Sequence, residues 1–457
     1  MLYDFLQVDK NDTTLLYEQL YRQVISAIEN GKLLHGDKLP SIRSLAEDLD
    51  VSRTTVETAY DQLCAEGYIN NKPKKGFFVE AQIDYPQIQH KSKKTDITKE
   101  QKHFIKYDFS GSSLDPQYID LKYWKRCIKD ILDMPYIISS YGDPQGEILL
   151  REVLCNYAKN VRGVITSPEN IVIGAGTQTL MSLLPGVFGE YGKDVFIEKG
   201  FFPQGEQILS DFGYTLHGLT ADSNGMILSD ADKGQILLVN SSGSNRGSSP
   251  LPFNKRMEII NWAEKHNAVI IEDDYNGELR YTSKPVPALQ GMDNERVVYI
   301  GSFSKLLLPS VRISYMVLPD HLMRLYKKRS RNYNQTASKT EQLALAQYIN
   351  SGRLERQLRK LRKIYALKSE LLLNSLKKHF SDNAVIEVIE TALCVRIKLK
   401  TNIPLDTLIN TALDNGIVLG KCREKNGIKY IYLSFAGISF DNIEDAADTL
   451  FKTWKDI

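Results

Sequence analysis

The chain has 457 residues, 42% of them hydrophobic and 25% charged, ordinary globular usage that excludes a fibrous or largely disordered protein. That length exceeds what one hydrophobic core usually supports, so more than one domain is expected. The formal net charge is +2, so no global basic field announces a nucleic-acid partner, and any such reading must rest on local pattern.

From Leu16 to Asn30, residues Leu16, Leu20, Val24, Ile25 and Ile28 recur along one helical face. Gly31 and Gly36 end this helix, Pro40 and Ser41 open a short second one through Leu49, and Ser52 opens a third that runs to about Glu66. Tyr68 to Glu80 then alternates polar and apolar residues around a Lys-Pro-Lys-Lys-Gly tip, which predicts two short strands and an exposed turn. The second and third helices, joined at Leu49-Asp50-Val51, have the size of a helix-turn-helix with Ser52 to Glu66 as recognition helix. Ser52, Arg53, Thr54 and Thr55 place hydroxyls and a guanidinium at a helix N-terminus, where free N–H groups suit phosphate and base-edge contacts. Arg43 sits near the start of the preceding helix, and Lys72, Lys74 and Lys75 lie at the hairpin tip, within reach of a backbone or minor groove. Residues 1–81 nevertheless hold nine Lys and Arg against thirteen Asp and Glu, the reverse of the usual basic footprint. On the residues alone, a DNA-binding unit and a solvated helical domain weigh evenly.

Residues 82–107 are polar and lysine-rich, with few large apolar side chains to offset the entropy of ordering them, and read as a flexible tether. From 108 to 457, apolar runs (NIVIGAG, DVFIEKG, QILLVNSSG, AVIIEDDY, RVVYIGSFS) alternate with helical stretches, an α/β pattern predicting a mostly parallel sheet with helices on its faces. Ligands of such sheets sit at the carboxyl ends of the strands. Pyridoxal phosphate chemistry needs a lysine, an acid for the pyridine nitrogen, a ring to stack on and phosphate donors, and those strand ends supply all four. Lys305 follows the strand Val297 to Ile300 with Ser302 and Ser304 beside it, and Asp273 and Tyr275 end another apolar run. Gly176, Thr177 and Gln178 lie between a strand and a helix predicted from Thr179 to Leu184, a turn able to cradle phosphate. Phe202 follows the strand Asp194 to Glu198, and Arg312 lies seven residues after Lys305. Each feature alone has an ordinary structural reading: a solvated lysine, a capping acidic pair, a nonspecific glycine turn, a core aromatic.

Two resemblances add to this reading. The segment from LYEQLYRQVISAIENG through KPKKGFFV is similar to a GntR-type winged helix over its full length, which implies DNA binding with Arg43, Arg53, Thr54 and Gly76 at or near the duplex. The order YGDPQG, IEDDYNGELRY, GSFSKLLLPSVRISYMVLP resembles the fold-type I aminotransferase-like domain of the MocR/GabR-type transcription regulators, and the match covers almost the whole chain. It implies Lys305 as the aldimine lysine, Asp273 as pyridine partner, Tyr275 as phenolate partner and Phe202 as stacking ring. Thr177, Gln178, Ser302, Ser304 and Arg312 are implied as phosphate ligands, and the resemblance further implies a head-to-tail homodimer in which Tyr141 reaches the cofactor of the second subunit. Two departures stand out. Where many members carry Ser-His-Gln-x-Pro-x-Gly, this chain has Ser242 to Ser248, with Asn245 the candidate for the cofactor's oxygen. Where class I aminotransferases place a carboxylate-binding arginine, it has Tyr432, with Arg423 upstream as a substitute for holding an effector carboxylate.

The expectation is a cytoplasmic regulator that senses pyridoxal phosphate, or an amine or amino acid reacting with it, and alters how a dimer engages a double-stranded operator. The alternative is an active aminotransferase with an appended DNA-binding domain, disfavoured by the missing arginine; a dimerisation scaffold without cofactor is disfavoured by the Lys305 and Asp273 pair. The effector itself (pyridoxal phosphate, a four-carbon amine or a D-amino acid) stays open. Five scattered cysteines without a CxxC pair predict free thiols and no metal site. The N-terminus lacks a secretory pattern, and Ile171 to Phe188 is too interrupted for a span of about 20 apolar residues.

Overall fold

The computed structural model describes residues 3, 6–10, 12–81, 104–189, 191–198, 202–221, 225–231, 235–243, 250–274, 277–282, 285–380 and 384–455. The chain divides into two compact units, Met1–Glu100 and Gln101–Ile457.

The first unit is three helices and a hairpin: α1 (Leu16–Glu29), α2 (Ile42–Asp48), α3 (Arg53–Ala65), β1 (Ile69–Lys72) and β2 (Gly76–Val79). The caps fix where the short helices start. Ser41 Oγ accepts from Ser44 N at 3.1 Å and Ser52 Oγ from Thr55 N at 3.1 Å, each satisfying an N–H that has no partner inside its helix. Asp50 adopts a left-handed backbone (φ 52°) in the turn between α2 and α3. Leu20, Val24, Leu45, Val56, Ala59, Tyr60, Leu63 and Val79 form the core, and Tyr60 Oη donates to the Pro40 carbonyl at 3.1 Å.

The second unit opens with β3 (Tyr107–Asp108) and the helices α4 (Leu121–Leu132), α5 (Pro135–Ile138) and α6 (Ile148–Arg162). Its main sheet comprises β4 (Ile171–Gly174), β5 (Asp194–Glu198), β6 (Thr215–Leu219), β7 (Ile236–Val239), β8 (Val269–Asp273), β9 (Val297–Ser302) and β10 (Ser314–Val317). The order is β4-β10-β9-β8-β7-β5-β6, with β10 antiparallel to both neighbours and the remaining strands running one way. Side chains alternate between the two faces: Val298 and Ile300 pack on one side, Val297 and Tyr299 on the other. The helices α7 (Thr177–Leu183), α8 (Pro203–Asp211), α9 (Phe253–His266), α10 (Asp320–Arg329) and α11 (Lys339–Asn350) belong to this layer. The long α12 (Arg353–His379) leads to an antiparallel sheet of order β11-β12-β15-β14, built from β11 (Ala384–Ile389), β12 (Cys394–Lys400), β14 (Cys422–Lys425) and β15 (Ile428–Ser434). With α13 (Leu405–Asp414), the two-residue β13 (Ile417–Val418) and α14 (Ile443–Lys455), this completes the chain.

Three local expectations need correction. The tether was expected to extend to residue 107, but β3 pairs in parallel with β13 and Lys106 N donates to the Gly416 carbonyl at 2.8 Å, so the buried Tyr107 belongs to the large unit. Helix α7 starts at Thr177, two residues before the predicted start, because Gly176 (φ 94°) turns the chain directly into it. Strand β9 runs to Ser302, two residues further than expected, because Ser302 still pairs with Ser314.

A buried ion pair ties helix to sheet. Arg162, the last residue of α6, is fully buried and meets Asp274, just past β8, at 2.5 Å. Ser242 Oγ and Tyr299 Oη donate to the same carboxylate at 2.6 and 2.7 Å. Removing one partner of such a pair leaves an uncompensated buried charge. Arg162→Ala is expected to lower unfolding stability by about 3–5 kcal/mol in urea titration, whereas replacing both partners by apolar residues costs much less.

Candidate functional site

The carboxyl ends of the strands gather the expected cofactor residues on one edge of the main sheet. Register places Gly174, Ser314 and Ser302 side by side across β4, β10 and β9, with Asp273 one strand further at the end of β8, opposite Ile300. Three consecutive carboxylates end that strand, all buried. Glu272 accepts from Ser241 Oγ, from Leu289 N at 2.8 Å and from Gln290 N at 3.0 Å. Asp274 is held by Arg162. The Asp273 carboxylate has no hydrogen-bond partner among the described residues. Burial, reinforced by the negative charges of Asp274 and Glu272, pushes its carboxyl up to about 7. Tyr275 and Asn245 lie outside the described residues.

Lys305 follows β9 through the Ser302-Phe303-Ser304 turn, in which Ser302 Oγ bonds Ser304 Oγ and N, each at 3.3 Å. Its ammonium donates to the Gly111 carbonyl. Burial lowers the pKa of this amine from its ordinary value, and Asp108 works against that fall. Burial also raises Asp108, but Ser110 N at 2.8 Å and Ser112 Oγ at 3.0 Å, together with Lys305, hold it below the usual carboxylate range. Gly111, Asp108 and Ser112 escaped the sequence reading: 194 residues separate Lys305 from Gly111, and the run FSGSS carries no motif.

On the other side of β9, Arg312 takes a left-handed backbone (φ 53°), and its guanidinium fills the space a Cβ at residue 176 would occupy. Only glycine at 176 lets the cation lie against the first turn of α7, where Thr177 and Gln178 stand. Ala175 N donates to Thr336 Oγ1 at 3.1 Å, a partner that sequence gave no reason to single out. The Phe202 ring lies over Gly205 in the first turn of α8, partly buried against the core. Tyr141 is 97% exposed on a loop that Asp143 anchors by accepting from Arg151 at 2.8 Å.

Arg423 lies on β14 with its guanidinium 5.3 Å from the Tyr430 ring and 5.7 Å from Tyr432, and its Nε is buried without a partner. Burial and the charge of Arg423 lower the pKa of Lys421, with Glu206 opposing the fall. Arg396, opposite Tyr432 on β12, is already paired with Glu387.

In the small unit, Arg53, Thr54 and Lys75 are exposed. Ser52 and Thr55 are engaged with each other, Oγ to Oγ1 at 2.8 Å, so their hydroxyls close the cap. Arg43 pairs with Glu47 at 3.0 Å, an exposed contact of little energetic weight. Gly76 (φ 100°) follows Lys74 (φ 64°) and Lys75 at the wing tip, where Lys72 lies 5.1 Å from the Phe78 ring.

Residues 16–79 match the family described as bacterial regulatory proteins of the gntR family, and residues 111–400 match aminotransferase class I and II. The chain is 33% identical over 453 residues to the uncharacterized HTH-type transcriptional regulator YdeL of Bacillus subtilis, covering 96% of this chain and 97% of that protein. It is 27% identical over 404 residues to the "Probable rhizopine catabolism regulatory protein MocR" of Rhizobium meliloti, covering 84% of this chain and 81% of that protein. Among solved structures, an archaeal alanine:glyoxylate aminotransferase shares the fold, with a TM-score of 0.69 at 21% identity over 77% of this chain and 91% of that one. No helix of the described residues is long and apolar enough to cross a membrane.

The isolated position of Asp273 has a pH signature. Its folded pKa of about 7 lies above its ordinary value of 3.8, so its contribution to stability is fully present below pH 4 and is lost as pH rises through about 7. In cofactor-free protein, the melting temperature of wild type relative to Asp273→Asn is expected to fall between pH 5 and 8; a constant difference over that range would contradict the assignment.

Proposed function

This chain belongs to the MocR/GabR-type transcription regulators, a GntR-family winged helix joined to a class I and II aminotransferase domain, and from that premise we propose that it is a pyridoxal-phosphate-dependent sensor switched by an amine or by the cofactor itself. DNA binding follows from its winged helix and cofactor binding from its aminotransferase fold.

The observation that carries the proposal is Asp273: a buried carboxylate with no donor among the described residues, at the end of β8 beside the strand that leads to Lys305. A cationic pyridine nitrogen is the partner that such a group lacks, so the residues present fit the cofactor. When bound, the cofactor supplies an aldehyde that captures amines and a ring that withdraws electrons from them. The chain's own groups do the rest. Lys305, its pKa lowered by burial, keeps a larger fraction of its amine neutral and able to react. Arg312, with the N–H groups and hydroxyls of Thr177, Gln178, Ser302 and Ser304, provides charge and donors for the phosphate. Phe202 supplies a ring beside α8, Tyr141 a hydroxyl for a second subunit of a homodimer, and Arg423 a cation for an effector carboxylate.

Effector binding shifts DNA affinity only by the difference in its own affinity for the two conformations. In the DNA-binding unit, Arg53 is assigned to base edges and Lys75, with Gly76 at its wing tip, to phosphate.

Purified protein is expected to absorb at roughly 410–430 nm once cofactor is added, and Lys305→Ala is expected to lose that band. A wild type that never absorbs there would overturn the sensor. Arg53→Ala is expected to cost about 1–3 kcal/mol of operator binding and to relax sequence preference, whereas Lys75→Ala weakens all duplexes alike; fluorescence anisotropy with operator and scrambled duplexes separates the two.

A further inference from the structure

Helix α12 carries Arg356, Arg359, Lys360 and Lys363, all exposed. Their spacing of three, four and seven residues puts them on one stripe of the helix. Among the described residues none of the four forms an ion pair, although Glu355 and Glu370 lie on the same helix. Lys360 lies with its ammonium 5.4 Å from the centre of the Tyr118 ring. Off the stripe, Arg362 is anchored to the Glu278 carbonyl at 2.7 Å.

Helix stability does not account for this stripe. Arg356 with Lys360, and Arg359 with Lys363, are like charges four residues apart, which repel. Arg356 also stands in the first turn of the helix, whose partial positive charge disfavours cations. The contrast with α10 is direct: its Lys327, Lys328 and Arg329 stand in the last turn, where the helix dipole favours them.

The stripe instead complements a polyanion. Residues 1–81, which contain the winged helix, hold nine cations against thirteen anions, so that unit is poorly equipped to neutralise phosphates on its own, and the rest of the chain carries all the net positive charge. We propose that the Arg356–Lys363 stripe is a second DNA-contacting surface, which binds phosphates of the duplex backbone without reading sequence. This rests on DNA binding by the winged helix and adds the large unit to the interface.

The test uses full-length protein, a fluorescein-labelled mixed-sequence duplex of about 60 base pairs, and anisotropy titrations between about 50 and 200 mM salt. Each lost phosphate contact reduces the slope of log K against log salt by about 0.9. The fourfold variant Arg356→Gln, Arg359→Gln, Lys360→Gln, Lys363→Gln is therefore expected to lower the slope by about 3 to 4 and affinity at least tenfold. Lys363→Gln alone is expected to lower the slope by about 1, which keeps the test valid if the fourfold variant folds poorly. An unchanged slope in both variants overturns the proposal, as does an unchanged slope in a variant that sediments as a smaller oligomer, since the stripe would then be a subunit contact. Arg53→Ala with Lys75→Ala serves as control: if that pair reduces binding while the α12 variants do not, the winged-helix reading stands and only the second surface falls. If wild type binds no duplex at all, both fall.

Discussion

Three carboxylates in succession, Glu272, Asp273 and Asp274, are buried at the end of β8, and the arrangement of the large unit around that edge follows from how each is satisfied. A buried carboxylate without a donor costs several kcal/mol, so the fold brings distant groups to two of them. Glu272 takes backbone N–H groups of Leu289 and Gln290. Asp274 takes Arg162 from the end of α6, which in turn holds Ser242 at 2.6 Å and the Val286 carbonyl at 2.5 Å. The middle residue is flanked by both and, among the described residues, paired with neither. Rigid neighbours on either side hold it in place and raise its proton affinity, an arrangement that favours an external cation over water.

The same edge shows how a phosphate site of the kind proposed could be built from weak parts. A glycine turn and a pair of serines are common and separately uninformative. Here the left-handed Arg312 brings a permanent charge against Gly176, and the antiparallel strand β10 returns from that arginine to lie between β4 and β9. The strand reversal sets Ser302 and Gly174 on either side of Ser314, so topology, more than any one residue, makes the two loops converge.

Legibility in the sequence followed the range of the interaction. Local signals were readable: Ser41 and Ser52 announce the starts of α2 and α3, apolar runs announce β5, β7, β8 and β9, and small or polar residues at their ends announce an edge with chemistry. Boundaries set by distant pairing were not. Nothing near Tyr107 foretells that it pairs with Ile417, and nothing near Arg162 says that its partner lies 112 residues away. The candidate site divides in the same way: Lys305, Asp273 and Arg312 are singled out by spacing and chemistry, whereas Gly111, Asp108 and Thr336 enter only because the chain folds back.

The C-terminal sheet separates cations that are already neutralised from one that is not. On β15, Tyr432 stands where the resemblance to class I aminotransferases implies an arginine, and the arginine across from it, Arg396, is neutralised by Glu387. The guanidinium left with an unpartnered buried Nε, Arg423, is one strand further out between two tyrosine rings. Catalysis requires interactions that are stronger in the transition state than in the bound ground state, and a carboxylate clamp contributes by fixing the reacting carbon over the cofactor. A cation displaced by a strand and backed by aromatic faces, with Lys421 nearby, can still hold an anionic group and so stabilise one conformation of the regulator. On the reading proposed above, a tyrosine in place of the strand arginine removes alignment while Arg423 retains attraction, a combination that suits a sensor.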